Sequence, residues 1–174
     1  MTIAELYAER CKKPERFPDI WEHLPALAEE AGAHGHITEF GVRTGNSTIA
    51  FLHALSRNGG KLVSYDIGDP QFAAPPLGNV EWVFNKRNTA DYSLLIEQTD
   101  LLFIDSCHDY GHAKKELRHA ERVRHTIIMH DTSPNWGNGL GPLRAMLEFV
   151  TSDAGWQIHR HHDNCNGLTI LKRR

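Results

Sequence analysis

Residues 37–52 read ITEFGVRTGNSTIAFL. The stretch opens as a strand, turns at Gly41 and Gly45, and runs on into apolar residues at helical spacing. Gly41 lets the chain leave the strand sharply, and Gly45 permits close backbone approach just before the helix. Asn46 or Ser47 can cap that helix, whose free amides favour a carboxylate or another anion. Outward from the turn, His36 to Phe40 reads as a strand and Lys61 to Ile67 as a second. Between them, Asn46 to Ser56 is a helix that packs through Ile49, Ala50, Leu52 and Leu55. That is a βαβ unit, which places a binding crevice at the carboxyl ends of its strands.

The turn excludes two nucleotide sites. A dinucleotide fingerprint needs glycines where Arg43 and Asn46 stand, and without them a pyrophosphate cannot approach the backbone. No GKS or GKT follows for a phosphate loop. Asp66, at the end of the second strand and about 20 residues beyond the turn, can accept both hydroxyls of an adenosine ribose. A strand-to-helix turn without a ligand remains the plain alternative.

The rest of the chain repeats the alternation. Further strands are expected at Val80 to Phe84, Leu101 to Asp105 and Thr126 to His130, with a helix over His112 to Arg122. The runs LLFI and TIIM have the all-apolar character of central parallel strands. A helix over Pro142 to Val150 leads to strands Trp156 to His162 and Leu168 to Lys172. Their connection is too short for a parallel crossover, so the pair is antiparallel. Before the first strand, helices are expected over Ile3 to Lys12 and Asp19 to Ala31, the second bounded by Pro18 and Gly32. The fold class is a doubly wound, Rossmann-like α/β domain with a mostly parallel sheet and an antiparallel C-terminal strand. One domain fills residues 1–174, with a helical segment at 1–33 and the α/β core at 34–174. Only Gly68 to Gly78, rich in proline and glycine, resembles a linker.

Composition narrows the partners. A net charge of −3 over 174 residues gives no pull toward nucleic acid or an anionic membrane, and favours a small or neutral substrate. No apolar run approaches the ~20 residues that span a bilayer, and Met1 begins a polar segment, so a cytoplasmic protein is expected. Cys11, Cys107 and Cys165 are too scattered for a disulfide framework or zinc knuckle and are expected as free thiols. A homo-oligomer stays open.

EFGVRTGNS, followed by YDI and FIDSCHDY, resembles the class I S-adenosylmethionine-dependent methyltransferases. The similarity runs over about Ile37 to Leu171. It is greatest to the O-methyltransferases that act on sugars of macrolide and aminocoumarin antibiotics, and to their cephalosporin-tailoring relatives. The resemblance implies that the acid and glycines of the first motif, here Glu39, Gly41 and Gly45 with Ser47, contact the methionine end of the cofactor. It implies that Asp66 binds ribose and that the methylation is of a small hydroxylated metabolite.

FIDSCHDYGH closes one buried strand and MHDT the next, which brings Asp105, His108, His130 and Asp131 to one sheet edge facing the crevice. Two carboxylates there can hold a divalent cation such as Mg²⁺, which orients a hydroxyl and lowers its pKa. His108 can then take the proton. The resemblance implies a metal-binding Asp at Asp105, with a cofactor contact as well, a base at His108 and an acidic pair after the next strand. Asp131 matches that pair, whereas His130 stands where an acid is expected. A nitrogen ligand there tilts the site from Mg²⁺ toward Mn²⁺, Zn²⁺ or Fe²⁺. The plain alternative is that these groups cap helices and bond neighbours.

His112, His119 and His125 sit among charges, as on a solvated face. The run His159 to His162 reads as polarity on an end strand, and Lys172 to Arg174 as a solubilising tail. TSPNWGNGLGP, beyond Asp131, reads as a substrate loop with Trp136 stacking on a ring, with an ordinary connection capped before Pro142 as the plain alternative. Two other functions are carried: a cofactor-binding or tailoring partner without methyltransferase activity, and a metal-dependent hydrolase using the same acids.

Overall fold

The computed structural model describes residues 1–12, 20–135, 140–152 and 155–174. The helix start expected at Pro18 and Asp19, and Trp136 in the expected substrate loop, lie outside the described residues. Along the chain run α1 (Ile3–Arg10), a 3₁₀ turn (Ile20–His23), α2 (Leu24–Ala31), β1 (His36–Phe40), α3 (Asn46–Leu55), β2 (Gly60–Asp66), β3 (Val80–Lys86) and β4 (Thr99–Ile104). Then follow α4 (Tyr110–Glu116), a second 3₁₀ turn (Leu117–Arg122), β5 (Val123–His130), α5 (Gly141–Ser152), β6 (Trp156–His162) and β7 (Leu168–Arg173).

The strands form one sheet in the order β3-β2-β1-β4-β5-β7-β6. β1 to β5 are parallel, while β7 inserts antiparallel between β5 and β6. The chain reverses direction across the sheet at the β1/β4 boundary, where an open α/β sheet forms its crevice. Alternate side chains of the central strands feed two cores. Ile37, Leu101, Phe103 and Ile128 face α3, with Phe51, Leu52 and Leu24 packed on them. Phe40, Leu102, Ile104 and Met129 face α4 and α5. Each such aliphatic or aromatic side chain taken out of water contributes roughly 1.5–3 kcal/mol.

The N-terminal segment joins the first of these cores through Ile3, Ile20, Leu24 and Leu27. α1 carries a capping box, in which Thr2 accepts from the Glu5 amide and Glu5 bonds back. Arg10 at its other end donates to Asn46 Oδ1 at 2.7 Å, which ties the segment to the start of α3. The helix expected over residues 112–122 tightens into 3₁₀ form from Leu117. No helix among the described residues is long and apolar enough to cross a membrane.

Candidate active site

The turn after β1 is built on positive backbone angles at Gly41 (φ 92), Arg43 (φ 45) and Gly45 (φ 78). A side chain at Gly41 would put its Cβ 2.1 Å from the Asp105 carbonyl oxygen, so only glycine lets β1 end flush against the end of β4. At Gly45 the space is taken by the chain itself. A Cβ there would lie 2.3 Å from the Phe72 ring. Phe72 stacks on Trp82, and the neighbouring Gln71 amide donates to the Arg43 carbonyl at 2.8 Å. The Gly68–Gly78 segment is therefore a strap folded over the turn. Gly45 is itself the N-cap of α3, with no side-chain cap, so the capping expected of Asn46 or Ser47 is not made.

Asp66 closes the turn from the side. Its Oδ2 accepts the amides of Val42 (2.7 Å) and Arg43 (3.1 Å), and its Oδ1 accepts that of Gly68 (2.9 Å). Burial works against the charge, yet these amides and that of Ile67 outweigh it and hold the carboxyl below its ordinary range. Asp66 lines a cleft of about 290 Å³ together with Gly41, Val42, Thr44, Asn46, Ser47, Asp105 and His108. Ile20, from the N-terminal segment, supplies an apolar wall of the same cleft.

Glu39 lies under the turn. It is fully buried and is no part of the cleft lining. Its carboxylate accepts the hydroxyls of Ser47 (2.6 Å), Thr48 (2.9 Å) and Ser64 (2.6 Å). Burial pushes its pKa up to about 7 against the pull of those hydroxyls. Glu39 thus anchors the start of α3 to β2, and reaches the cleft only through Ser47.

The groups at the ends of β4 and β5 converge. His108 Nε2 lies 2.7 Å from Asp131 Oδ2, and this bond raises the His108 pKa. Asp131 is buried and takes φ 56, a left-handed angle that aspartate tolerates better than most residues. Both ring nitrogens of His130 are engaged. Nε2 faces the Cys165 carbonyl at 2.9 Å, while Nδ1 sits between Asp105 (3.2 Å) and Asp131 (3.4 Å). A carbonyl and ionised carboxylates accept, so these contacts favour a proton on each nitrogen. Burial alone would keep the ring neutral, but Asp105, Asp131 and the Cys165 carbonyl outweigh it and raise the pKa well above the usual histidine value. His130 stands between two acids that favour its charged form. His23, edge-on to it, is pushed down to about 4, first by burial and then by that charge.

The cluster with metal-ligand spacing is instead Asp105, His108 and Asp131, whose ligand atoms all lie within 4.8 Å of one another. Asp131 Oδ1 is buried and has no partner among the described residues, so this donor set fits a divalent cation, with His108 in the place expected of His130.

A family model described as a methyltransferase domain matches residues 38–132, from β1 through the acid and histidine cluster. The chain belongs to this methyltransferase family. The methyltransferase is similar in fold to the O-methyltransferase TomG from Streptomyces achromogenes, involved in tomaymycin synthesis and solved with SAM. Identity is 18% and the TM-score 0.66, over 97% of this chain and 89% of that one. It is also similar to an SAH-bound methyltransferase from Podospora anserina (14% identity, TM-score 0.60, 99% and 87% of the two chains). A third likeness is to an O-methyltransferase from Bacillus cereus in complex with SAH (16%, 0.60, 99% and 89%). No curated protein sequence matches the chain.

Of the residues singled out by sequence, the methyltransferase brings Gly41, Ser47, Asp66, Asp105 and His108 to one cleft. Asp131 stands directly behind His108. His112 and His119 are not on a solvated face: His112 bonds Thr89, and His119 is buried edge-on to Phe40. Sequence reading missed Ile20, the Phe72 strap, Ser106 and the Cys165 carbonyl. Only Ser106, adjoining Asp105, carried a local signal.

Proposed function

We propose that this methyltransferase transfers the methyl group of S-adenosylmethionine to a hydroxyl of a small metabolite, and that residues 1–33 and 34–174 act as one domain in the cytoplasm. The observation that carries the reading is the shared cleft, in which Asp66 flanks the Gly41–Gly45 turn and His108, backed by Asp131, faces it from the end of β4. The fold likeness to TomG, an O-methyltransferase solved with SAM, supports the same reading. The three free cysteines suit a reducing compartment.

The amino-acid end of the cofactor lies against the turn and the start of α3, where Ser47 and the uncapped amides meet its carboxylate. Asp66 meets the ribose hydroxyls, which would share its carboxylate oxygens with the amides of Val42, Arg43 and Gly68. His108 donates its Nε2 proton to Asp131, which leaves Nδ1 as the basic nitrogen. As the acceptor oxygen bonds the methyl carbon, the carbon–sulfur bond breaks, its electron pair stays on sulfur, and the hydroxyl proton passes to Nδ1. Asp131 stabilises the imidazolium that forms. Alignment of oxygen, carbon and sulfur supplies much of the rate.

A second reading is favoured by the spacing of Asp105, His108 and Asp131 and by the unpartnered Asp131 oxygen. These three would hold a divalent cation, which when bound would polarise the acceptor hydroxyl.

Labelled S-adenosylmethionine offered with a panel of hydroxylated metabolites tests the function. Methyl transfer by the native chain, lost in His108→Ala, is expected. Cofactor binding with transfer to no acceptor would instead make the chain a binding partner.

A further inference from the structure

Asp66 forms part of a second, smaller hollow of about 70 Å³, which Ser47 does not line. If the proposed cofactor places its ribose at Asp66 and its amino-acid end at Ser47, its base enters this hollow, and the inference below rests on that reading. Tyr65, Ile67, Arg87, Thr89, Ser106 and His112 line it, with Gly41 and Cys107 completing the wall.

Three of these side chains are tied from behind by one carboxylate. Glu116, at the end of α4, is completely buried. Its Oε1 accepts the Thr89 hydroxyl and, at 2.6 Å, the Ser106 hydroxyl, and lies 3.4 Å from His112 Nε2. Thr89 follows β3, Ser106 follows β4 and His112 belongs to α4, so a single oxygen joins three elements around the hollow.

The direction of these bonds has a chemical consequence. A hydroxyl has one hydrogen and two lone pairs, and a carboxylate oxygen can only accept. Thr89 and Ser106 must therefore spend their hydrogens on Glu116. His112 Nε2, 3.1 Å from Thr89 Oγ1, must then be the donor in that contact. What remains for a ligand is lone pairs: both of Ser106 Oγ and one of Thr89 Oγ1. At Ser106 and Thr89 the wall of the hollow therefore presents acceptors.

We infer that Glu116 is a positioning residue that polarises Ser106 and Thr89, so that the pocket selects a nucleoside base carrying an amino group over one carrying a carbonyl at the same place. A ring carbonyl brought to Ser106 would meet lone pairs and lose its hydrogen bond to water without replacement. A ring amino group would donate into them. Asp66, by contrast, reads only the sugar and cannot tell the two bases apart.

The test compares S-adenosylhomocysteine with its deaminated counterpart, S-inosylhomocysteine, by calorimetry on the whole chain. The native protein is expected to bind the amino form at least ~10-fold more tightly, as sites built to pair a polar group reject ligands that lack it. In Glu116→Gln the side-chain amide can donate to Ser106 and Thr89, which frees their hydroxyls to turn outward. The preference should then fall to within about threefold. A loss that is merely structural would weaken both ligands alike and leave their ratio intact. Ser106→Ala, which keeps Glu116 in place, should also reduce the ratio and carries the test if the glutamine variant does not fold. Binding of S-adenosylhomocysteine with a ratio unchanged in both variants overturns the role of Glu116 and leaves the proposed function standing. No binding of S-adenosylhomocysteine by the native chain overturns both.

Discussion

His108 Nε2 stands 2.7 Å from Asp131 Oδ2, joining the loop after β4 to the end of β5. The bond orients the ring and raises its pKa, with the nearby Asp105 adding to the effect and burial opposing it. A base must be unprotonated to act, so kcat/KM should fall as pH drops through a value above the ordinary ~6.5 of histidine. Asp131→Asn keeps the left-handed backbone but removes the charge. It should move that acid limb to lower pH, while His108→Ala should lower kcat by ~10²–10⁴. A pH profile of methyl transfer for the three proteins measures both.

Gly41 and Gly45 differ in what an added methyl would strike. At Gly41 it meets the Asp105 carbonyl, backbone that cannot retreat without separating β1 from β4. At Gly45 it meets the Phe72 ring, which can swing aside with the strap. Both substitutions also bear the strain of positive φ. Gly41→Ala should cost more than ~2 kcal/mol and exceed Gly45→Ala, as read from urea midpoints at constant slope.

The His130 cation makes stability depend on pH in a defined direction. Its folded pKa is raised above the unfolded ~6.5, so its stabilisation is complete below ~6.5 and is lost as pH rises through the folded value. Asp131 is depressed below the unfolded ~3.9, so its stabilisation is present above ~3.9 and is lost as pH falls through the folded value. Melting curves should therefore show an alkaline decline in the native chain that is shallower in His130→Gln. Glu39, raised to about 7, adds a decline of its own that both proteins share, so the difference between them reports His130 together with the neighbours its charge perturbs, His23, His108 and Asp131.

His130 also bears on the metal. An imidazolium between Asp105 and Asp131 already offsets part of their charge, which lowers the need for a dication. Methyl transfer should survive dialysis against EDTA. Activity lost on chelation and restored by Mn²⁺ would turn Asp105, His108 and Asp131 into a metal site.

The fold was legible because its signals are local. The turn glycines, the all-apolar β4 and β5 and the short β6–β7 connection each follow from a few adjacent residues. The cleft was legible as far as strand ends go, since Asp66, Asp105 and His108 sit where parallel strands must deliver them. The sequence could not reveal which way a side chain points when its partner is distant. Nothing near Glu39 in the chain says that Ser64, on a neighbouring strand, is its partner inside. Nothing near His130 in the chain says that the Cys165 carbonyl, beyond β6, meets its second nitrogen. The composition of Gly68–Gly78 signals a loop, and nothing local says that Phe72 folds back onto Gly45.

The turn and Asp66 as the cofactor cradle are tested most directly by titrating the native chain and Asp66→Ala with S-adenosylhomocysteine in a calorimeter. Saturable one-to-one binding by the native chain, weakened at least ~10-fold by the substitution, is the expected outcome, since hydrogen bonds to a charged group are worth ~1.5–3 kcal/mol. Absence of binding by the native chain, or equal affinity in the two proteins, would contradict it.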